Sequence, residues 1–436
     1  MAALPLTVVH GALLLTWDLA GRIWITVGLL VAAAGALIWA ISRLERVAGS
    51  PAAAVLIVAT ALRLLLLPLP PSLSDDVLRY VWDGRVVNAG HNPYLLAPED
   101  PALEGLRDGL WSALPHRDVP TVYPPLALGI FSIAARFSTP VLVLKALLTS
   151  ADLLTCVLLI RMAAALGLPV ARVGWYAWNP LVTLEVAGMG HVDALGVVLL
   201  VAALSWVVVV PRVRSSAVTA AGALAAKLVP VVTVPILMRA SARPLRFVLW
   251  FGAVGALLLL PMAAAGGVPP GLARYAVSWE FNGPLYEPLW RLSEGVDLRG
   301  SIEGSLDAAK DRWGRHDFWN RLYPYNYPQL HAKLILALAL GAALVWIWRR
   351  DRPVAATGAS FGALLLCSAT VYPWYLLWVM PAAALLRHRA WLLLSLLLPL
   401  TYLPQHSPVE LFPWIFVAVW LPFGVALALE RRWSTA

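Results

Sequence analysis

Apolar runs long enough to cross a lipid bilayer recur from one end of this 436-residue chain to the other. Residues 23–41, 52–69, 141–158, 194–210, 247–265, 355–371 and 412–429 are the clearest, each about 17–20 residues with few charges, the length a helix needs to span hydrocarbon. Composition agrees: 60% of residues are hydrophobic and 13% charged, about half the charged fraction of an ordinary soluble chain. The expected fold is all-α, a polytopic membrane helix bundle of about 12–14 spans. No long polar linker divides the chain, so residues 1–436 are expected to form one integral membrane domain, with outer loops at 70–121 and 268–330.

The net charge of +9 could suggest a nucleic-acid partner, but its distribution argues for a membrane and no nucleic acid. Arginines gather in short loops between apolar runs: Arg43 and Arg46; Arg212 and Arg214; Arg239, Arg243 and Arg246; Arg349, Arg350 and Arg352; Arg387 and Arg389; Arg431 and Arg432. This positive-inside pattern fixes orientation. The two cysteines, Cys156 and Cys367, sit in apolar runs and imply neither a disulfide framework nor a metal site. The first residues lack a basic n-region and a small-residue cleavage site, so no cleaved signal peptide is expected.

Counting crossings from Arg43 and Arg46 puts the polar stretch after residue 69 on the outer face. Pro68-Leu-Pro-Pro71 ends the preceding helix, because proline cannot continue it. Two adjacent carboxylates follow, Asp75 and Asp76, with Ser74 as the expected N-cap. Helical spacing places Asp75, Arg79 and Asp83 on one face and leaves Val77, Tyr80, Val81 and Val87 to rest on the membrane surface. Glu185, His191 and Asp193 precede a span that ends at Arg212, so they too are outside. An even number of crossings must then lie between the two acidic patches, and one of the runs 123–137, 141–158 and 173–186 does not span. Lys227 interrupts residues 218–238 between two arginine clusters; a hairpin of two short helices with Lys227 near its tip keeps the arginines inside.

Paired outer carboxylates suit general-base work on an acceptor hydroxyl. They equally suit helix capping, and Arg79 could do no more than close an i,i+4 pair. Lys227 is expected to be the main intramembrane charge, and such charges are costly and usually functional, although a snorkelling lysine is the plain alternative. His191 and Asp193 alone would be an ordinary loop pair; opposite a second acidic patch they become candidates. An outward-facing membrane enzyme cannot reach cytosolic nucleotide sugars, so its natural donor is a sugar on a polyprenyl phosphate. Lys227, Arg79 and Arg85 are the candidate cations for the leaving phosphate. No His, Cys or carboxylate spacing suggests a metal or other cofactor, and a divalent ion on the acidic outer face stays open. A flippase or other transporter of a lipid-linked sugar is the competing class, with a non-catalytic assembly partner third; transporters tend to bury ionisable groups along a midplane path.

Asp75-Asp-Val-Leu-Arg-Tyr-Val-Trp-Asp-Gly-Arg85, followed by Gly90-His-Asn-Pro-Tyr94, resembles the first outer loop of bacterial polyprenol-phosphate-sugar glycosyltransferases of the GT-C fold. The likeness is greatest to the polyprenol-phosphomannose-dependent α-1,6-mannosyltransferases of actinobacteria. Tyr123-Pro-Pro125, Trp178-Asn-Pro180, Gly190-His-Val-Asp193, Ala226-Lys-Leu-Val-Pro230, Trp279-Glu-Phe-Asn282 and Tyr372-Pro-Trp-Tyr375 continue it in order, over most of residues 52–386. The resemblance implies an inverting transfer of a hexose, with mannose expected, from a polyprenyl-phosphate donor to a glycan or glycolipid acceptor. It implies a multi-pass protein of the bacterial inner membrane with an extracytoplasmic site. Asp76, three residues before the Arg-Tyr pair, would be the base and Asp75 its alternate; Lys227 would meet the donor phosphate. Sugar and acceptor contacts would come from His191, Asp193 and Glu185, and from Tyr80, Asn92, Tyr94, Trp279, Asn282 and Tyr375.

Overall fold

The computed structural model describes residues 3–430 apart from 48 and 264; the expected inner pair Arg431 and Arg432 lies outside the described residues. The chain is helical nearly throughout. Among the described residues no strand forms, and Phe281 and Asn282 make only isolated bridges to Thr370. Helices α1 (Leu4–Thr16), α2 (Ile23–Leu44) and α3 (Ala52–Leu66) pack together. Then come α4 (Asp76–Asn88), α5 (Pro125–Ala134) and α6 (Pro140–Ala165). Next, α7 (Asp193–Val208) and α8 (Val213–Ala226) form a tightly packed hairpin, with α9 (Pro244–Ala263) against α8. The polar stretch 268–330 holds α10 (Pro270–Ser278), α11 (Tyr286–Gly295) and α12 (Leu298–Trp313). Finally α13 (Pro328–Trp348), α14 (Pro353–Leu366) and α15 (Phe412–Leu429) return to the bundle. Several helices begin on proline, among them α5, α6, α13 and α14, where its missing N–H is harmless and its fixed φ favours the first turn.

This is a multi-pass membrane protein, but fewer helices cross unaided than the apolar runs suggested. Five are long and apolar enough (α2, α6, α9, α13 and α15), and a sixth crossing forms if Pro180–Gly188 and α7, bent by 119° at their junction, count as one span. The expected run 173–186 is cut into short turns by Pro180 and a π-turn at Leu184–Gly188. Residues 376–403 likewise resolve into Met380–Leu386, Arg389–Leu397 and neighbouring turns. At ten residues α5 is about 15 Å long, too short to cross, so of the three runs in the parity argument only 141–158 forms a full-length helix. α8 and α14, fourteen residues each, reach about 21 Å.

One expectation about α4 is overturned. Val77, Tyr80 and Val81 are buried in the protein and do not rest on the membrane surface. Gly84 explains the close fit: a Cβ there would stand 2.3 Å from the Phe131 carbonyl oxygen, so only glycine lets α4 lie against α5. On its far side Trp82 and Val86 join Leu103 and Leu114 in a small core under the outer loop. The helix is therefore sandwiched, with its N-terminus facing inward.

Candidate active site

Three chain breaks meet in front of that N-terminus. The first is the stop at Pro68–Pro71, which releases the chain into Asp75 and Asp76. The second is the bend before α7, where Gly190 takes a φ of +82° and delivers His191 and Asp193. The third follows α8: Lys227 adopts extended backbone, and a new helical turn begins at Val229. This is the hairpin the arginine pattern called for, with Lys227 at its tip. The three enclose a cavity of about 610 Å³, lined by Asp75, Asp76, Asp193 and Lys227 among others. Its aromatic walls come from Tyr123, Tyr275, Trp279, Tyr372, Tyr375 and Trp378, and an apolar flank from Leu272, Phe361, Leu364 and Leu365.

The carboxylates there differ sharply in what they are free to do. Asp193 is fully buried and committed: Lys227 Nζ lies 2.7 and 2.8 Å from its two oxygens, and Trp378 Nε1 donates to Oδ1 at 2.5 Å. Lys227, 22% exposed, keeps one N–H for the cavity and stands 5.0 Å over the Tyr375 ring. Asp76 is the opposite case, with its side chain 35% exposed. Its contacts are a long 3.4 Å bond from the Tyr80 hydroxyl and His191 Nε2 at 4.0 Å. Among the described residues no lysine or arginine pairs with it. Asp75 sits at the rim, its carboxyl pushed above the ordinary carboxylate value by partial desolvation and by the Asp76 charge, with His406 pulling the other way.

Behind Asp76 lies a buried acid–histidine pair. His191 Nδ1 is 3.1 Å from the Glu185 carboxylate, and its Nε2 is 3.2 Å from Ser74 Oγ. Glu185, on the π-turn, accepts from the Tyr402 hydroxyl at 2.8 and 3.0 Å. The imidazole stacks on Trp374 at 4.0 Å, and Trp374 stacks on Tyr372 at 4.5 Å, so both faces of that indole are occupied and it fixes the histidine's plane. Ser74 does not close the helix as a cap. Asp75 holds the cap position without a side-chain bond, and Ser74 Oγ lies 3.4 Å from the Asp76 N–H.

Of the residues singled out from sequence, Asp75, Asp76, Lys227, Asp193, Trp279 and Tyr375 line the cavity, and His191 and Glu185 back it. Arg79 reaches the wall with its guanidinium already used, on Asp83 at 2.8 Å and on the carbonyls of Val119 and His116 at 2.6 and 3.2 Å. Arg85 lies away from the cavity, paired with Asp108 at 2.7 Å. Tyr80 supports Asp76 from beneath, stacked on Phe131. Asn92 shapes its own turn by accepting from the Tyr94 N–H, and the Tyr94 hydroxyl is tied to the Tyr123 carbonyl. Asn282 is buried against Trp420. These four residues brace the site from outside the cavity. Lys227 is also not alone as an intramembrane charge. Arg63, Lys145 and Asp152 are all buried in the bundle, and the same rarity rule that picked out Lys227 would have found them. Nothing in the sequence marked Trp378 or Tyr402 as partners. Among the described residues no group of three or more His, Cys, Asp or Glu is placed to hold a metal ion.

Residues 2–243, more than half of the chain, match the family described as alpha-(1->6)-mannopyranosyltransferase, N-terminal domain. The matched segment contains Asp75, Asp76, Glu185, His191, Asp193 and Lys227; the cavity walls at Tyr275, Trp279 and Tyr372–Trp378 lie beyond it. No curated protein and no solved structure matches the chain.

Proposed function

Because the chain belongs to the alpha-(1->6)-mannopyranosyltransferase family, a GT-C type mannosyltransferase family, we propose that it moves mannose from a polyprenyl-phosphate donor to a hydroxyl of a glycan or glycolipid acceptor, with inversion. One observation carries the reading: a single cavity holds a partly exposed carboxylate with no lysine or arginine partner among the described residues, Asp76, on one wall and a lysine with a spare N–H, Lys227, on another. In the reaction Asp76 takes the proton of the acceptor hydroxyl as its oxygen bonds to the anomeric carbon. The bond from that carbon to the phosphate oxygen breaks, and the phosphate leaves with the electron pair toward Lys227. Asp193 holds Lys227 in place and is too engaged to act as a base. The apolar flank suits the lipid portion of the donor, and Trp279 and Tyr375 suit sugar contacts. Family membership favours this over a transporter. The arginine distribution favours a site open to the extracytoplasmic face of the bacterial plasma membrane. The cavity draws walls from before and after residue 243, so the functional unit is taken to be residues 1–436 as one membrane domain.

Purified Asp76→Asn protein that remains folded is expected to transfer mannose from synthetic mannosyl-phosphopolyprenol about 10²–10⁴-fold more slowly than the parent. Parent-like turnover by that variant would remove Asp76 as the base. Lys227→Met is expected to weaken apparent donor affinity about tenfold or more. Unchanged donor affinity would sink the phosphate role.

A further inference from the structure

Among the buried ionisable residues with no part in the chemistry just described, Lys145 differs from Arg63 and Asp152 in having no ion-pair partner among the described residues. It sits on α6 with 1% of its surface exposed. Its Nζ donates to the carbonyl oxygen of Leu69 at 2.5 Å. Among the described residues no carboxylate lies within ion-pairing distance of it. An ionisable side chain so placed is costly to bury and usually serves a purpose.

Its position suggests one. The Leu69 carbonyl lies in the turn that follows α3, just before Pro70 and Pro71, which have no N–H to offer it. Lys145 holds that turn at the point where the chain departs for Asp75 and Asp76. The stem of the same lysine fills the space beside Gly190: a Cβ on Gly190 would come 2.8 Å from Lys145 Cγ and 3.2 Å from Val77 Cγ2. Val77 follows Asp76 and Gly190 precedes His191, so the lysine stem and Val77 both press on Gly190 where the segments that carry the acid and the histidine meet. The bond from Ser74 Oγ to His191 Nε2, at 3.2 Å, joins those segments on the cavity side. Lys145 joins them from behind.

We infer that Lys145 is a positioning residue that fixes Asp76 relative to His191 and the cavity, so that the carboxylate meets the acceptor hydroxyl in a productive geometry. The kinetic side of this inference rests on the proposed transfer reaction; the structural side does not. An error of about 1 Å in the placement of a catalytic group can lower a rate about 10²-fold.

The test is Lys145→Met, which keeps an unbranched apolar stem and removes the donor, studied in the full-length protein in detergent or nanodiscs. Amide hydrogen exchange is expected to quicken at residues 72–77 and at 189–192 together, with α11, α12 and α13 unchanged. Mannose transfer from synthetic mannosyl-phosphopolyprenol is expected to show kcat reduced about 10- to 100-fold and donor KM within about twofold of the parent. Exchange unchanged at either segment overturns the inference, as does a rise spread over the whole molecule with kcat and KM both altered. A parent protein that transfers no mannose would refute the proposed reaction and leave the exchange comparison to decide on the clamp. Should Lys145→Met fail to fold, Val77→Ala loosens the same packing at Gly190 from the other side. It is expected to give the same paired rise in exchange, and its absence would overturn the clamp.

Discussion

Asp75 and Asp76 are neighbours in the chain, yet they occupy different electrostatic worlds. Asp76 faces the cavity over Tyr80 and His191, whereas Asp75 sits at the rim with its carboxyl raised. A folded-state pKa above the unfolded value means that the folded protein prefers the protonated form. That contribution is fully present below the ordinary carboxylate range and is lost as pH rises through the raised value. Asp75→Asn should therefore raise the melting temperature at pH 7, with the gain shrinking to nothing by about pH 3, where aspartic acid is protonated in both states. Thermal unfolding of both proteins across that range measures it; a gain that grew on acidification would contradict the assignment. The pair itself was legible in the sequence because carboxylates after a proline stop stand out in an apolar chain. The different fates of its two members depend on what lies across the cavity, which no local pattern records. Tyr80, Asn92, Tyr94 and Asn282 show the same limit: polar residues in a site motif can brace a site as readily as line it.

At the scale of elements, α4 is held by an ion pair that is almost wholly buried. Arg79 binds Asp83 at 2.8 Å, and Asp83 also accepts from Thr121 Oγ1 at 2.5 Å, which ties the helix to the loop above it. Burial raises the Asp83 carboxyl, and Arg79 and Thr121 pull it back down. Asp83→Ala would leave the Arg79 guanidinium buried without its counter-charge, at a cost of about 3–5 kcal/mol. Denaturant or thermal unfolding should register that loss, and a change within about 1 kcal/mol would mean that solvent reaches Arg79 after all. The hairpin at Lys227 was readable because arginine parity forbade a single span. The burial of α4 was not, since it depends on Gly84 meeting the Phe131 carbonyl, a contact between segments far apart in sequence.

Across the whole molecule, a second buried pair joins three parts of the bundle. Arg63 on α3 binds Asp152 on α6 at 2.5–2.6 Å; the Ala177 carbonyl accepts from Arg63 at 2.7 Å, and the Tyr176 hydroxyl donates to Asp152 at 2.5 Å. Either partner replaced alone, as in Arg63→Met or Asp152→Leu, should destabilise by about 3–5 kcal/mol. The double variant should recover most of the loss, because no charge is then left unpaired. Additive losses in that double-mutant cycle would deny the coupling. The membrane class and its helices were evident from hydropathy; the number of full crossings was not, because proline and a π-turn shorten runs whose composition alone would span.

Those shortened helices have a consequence for access from the lipid. α5, α8 and α14 reach only about 15–21 Å against hydrocarbon about 30 Å thick, and their ends border the cavity. α14 has no exposed residue and α8 exposes only Arg214, so protein and not lipid surrounds this shortened stretch, and the gap it leaves is the cavity itself. On the proposed reading, water filling that gap shortens the distance a lipid-borne phosphate must travel to reach Asp76 and Lys227. Reconstituted into a series of phosphatidylcholines of increasing chain length, the protein should turn over most slowly in the thickest bilayers. A rate indifferent to acyl length would mean that the membrane takes no part in presenting the substrate.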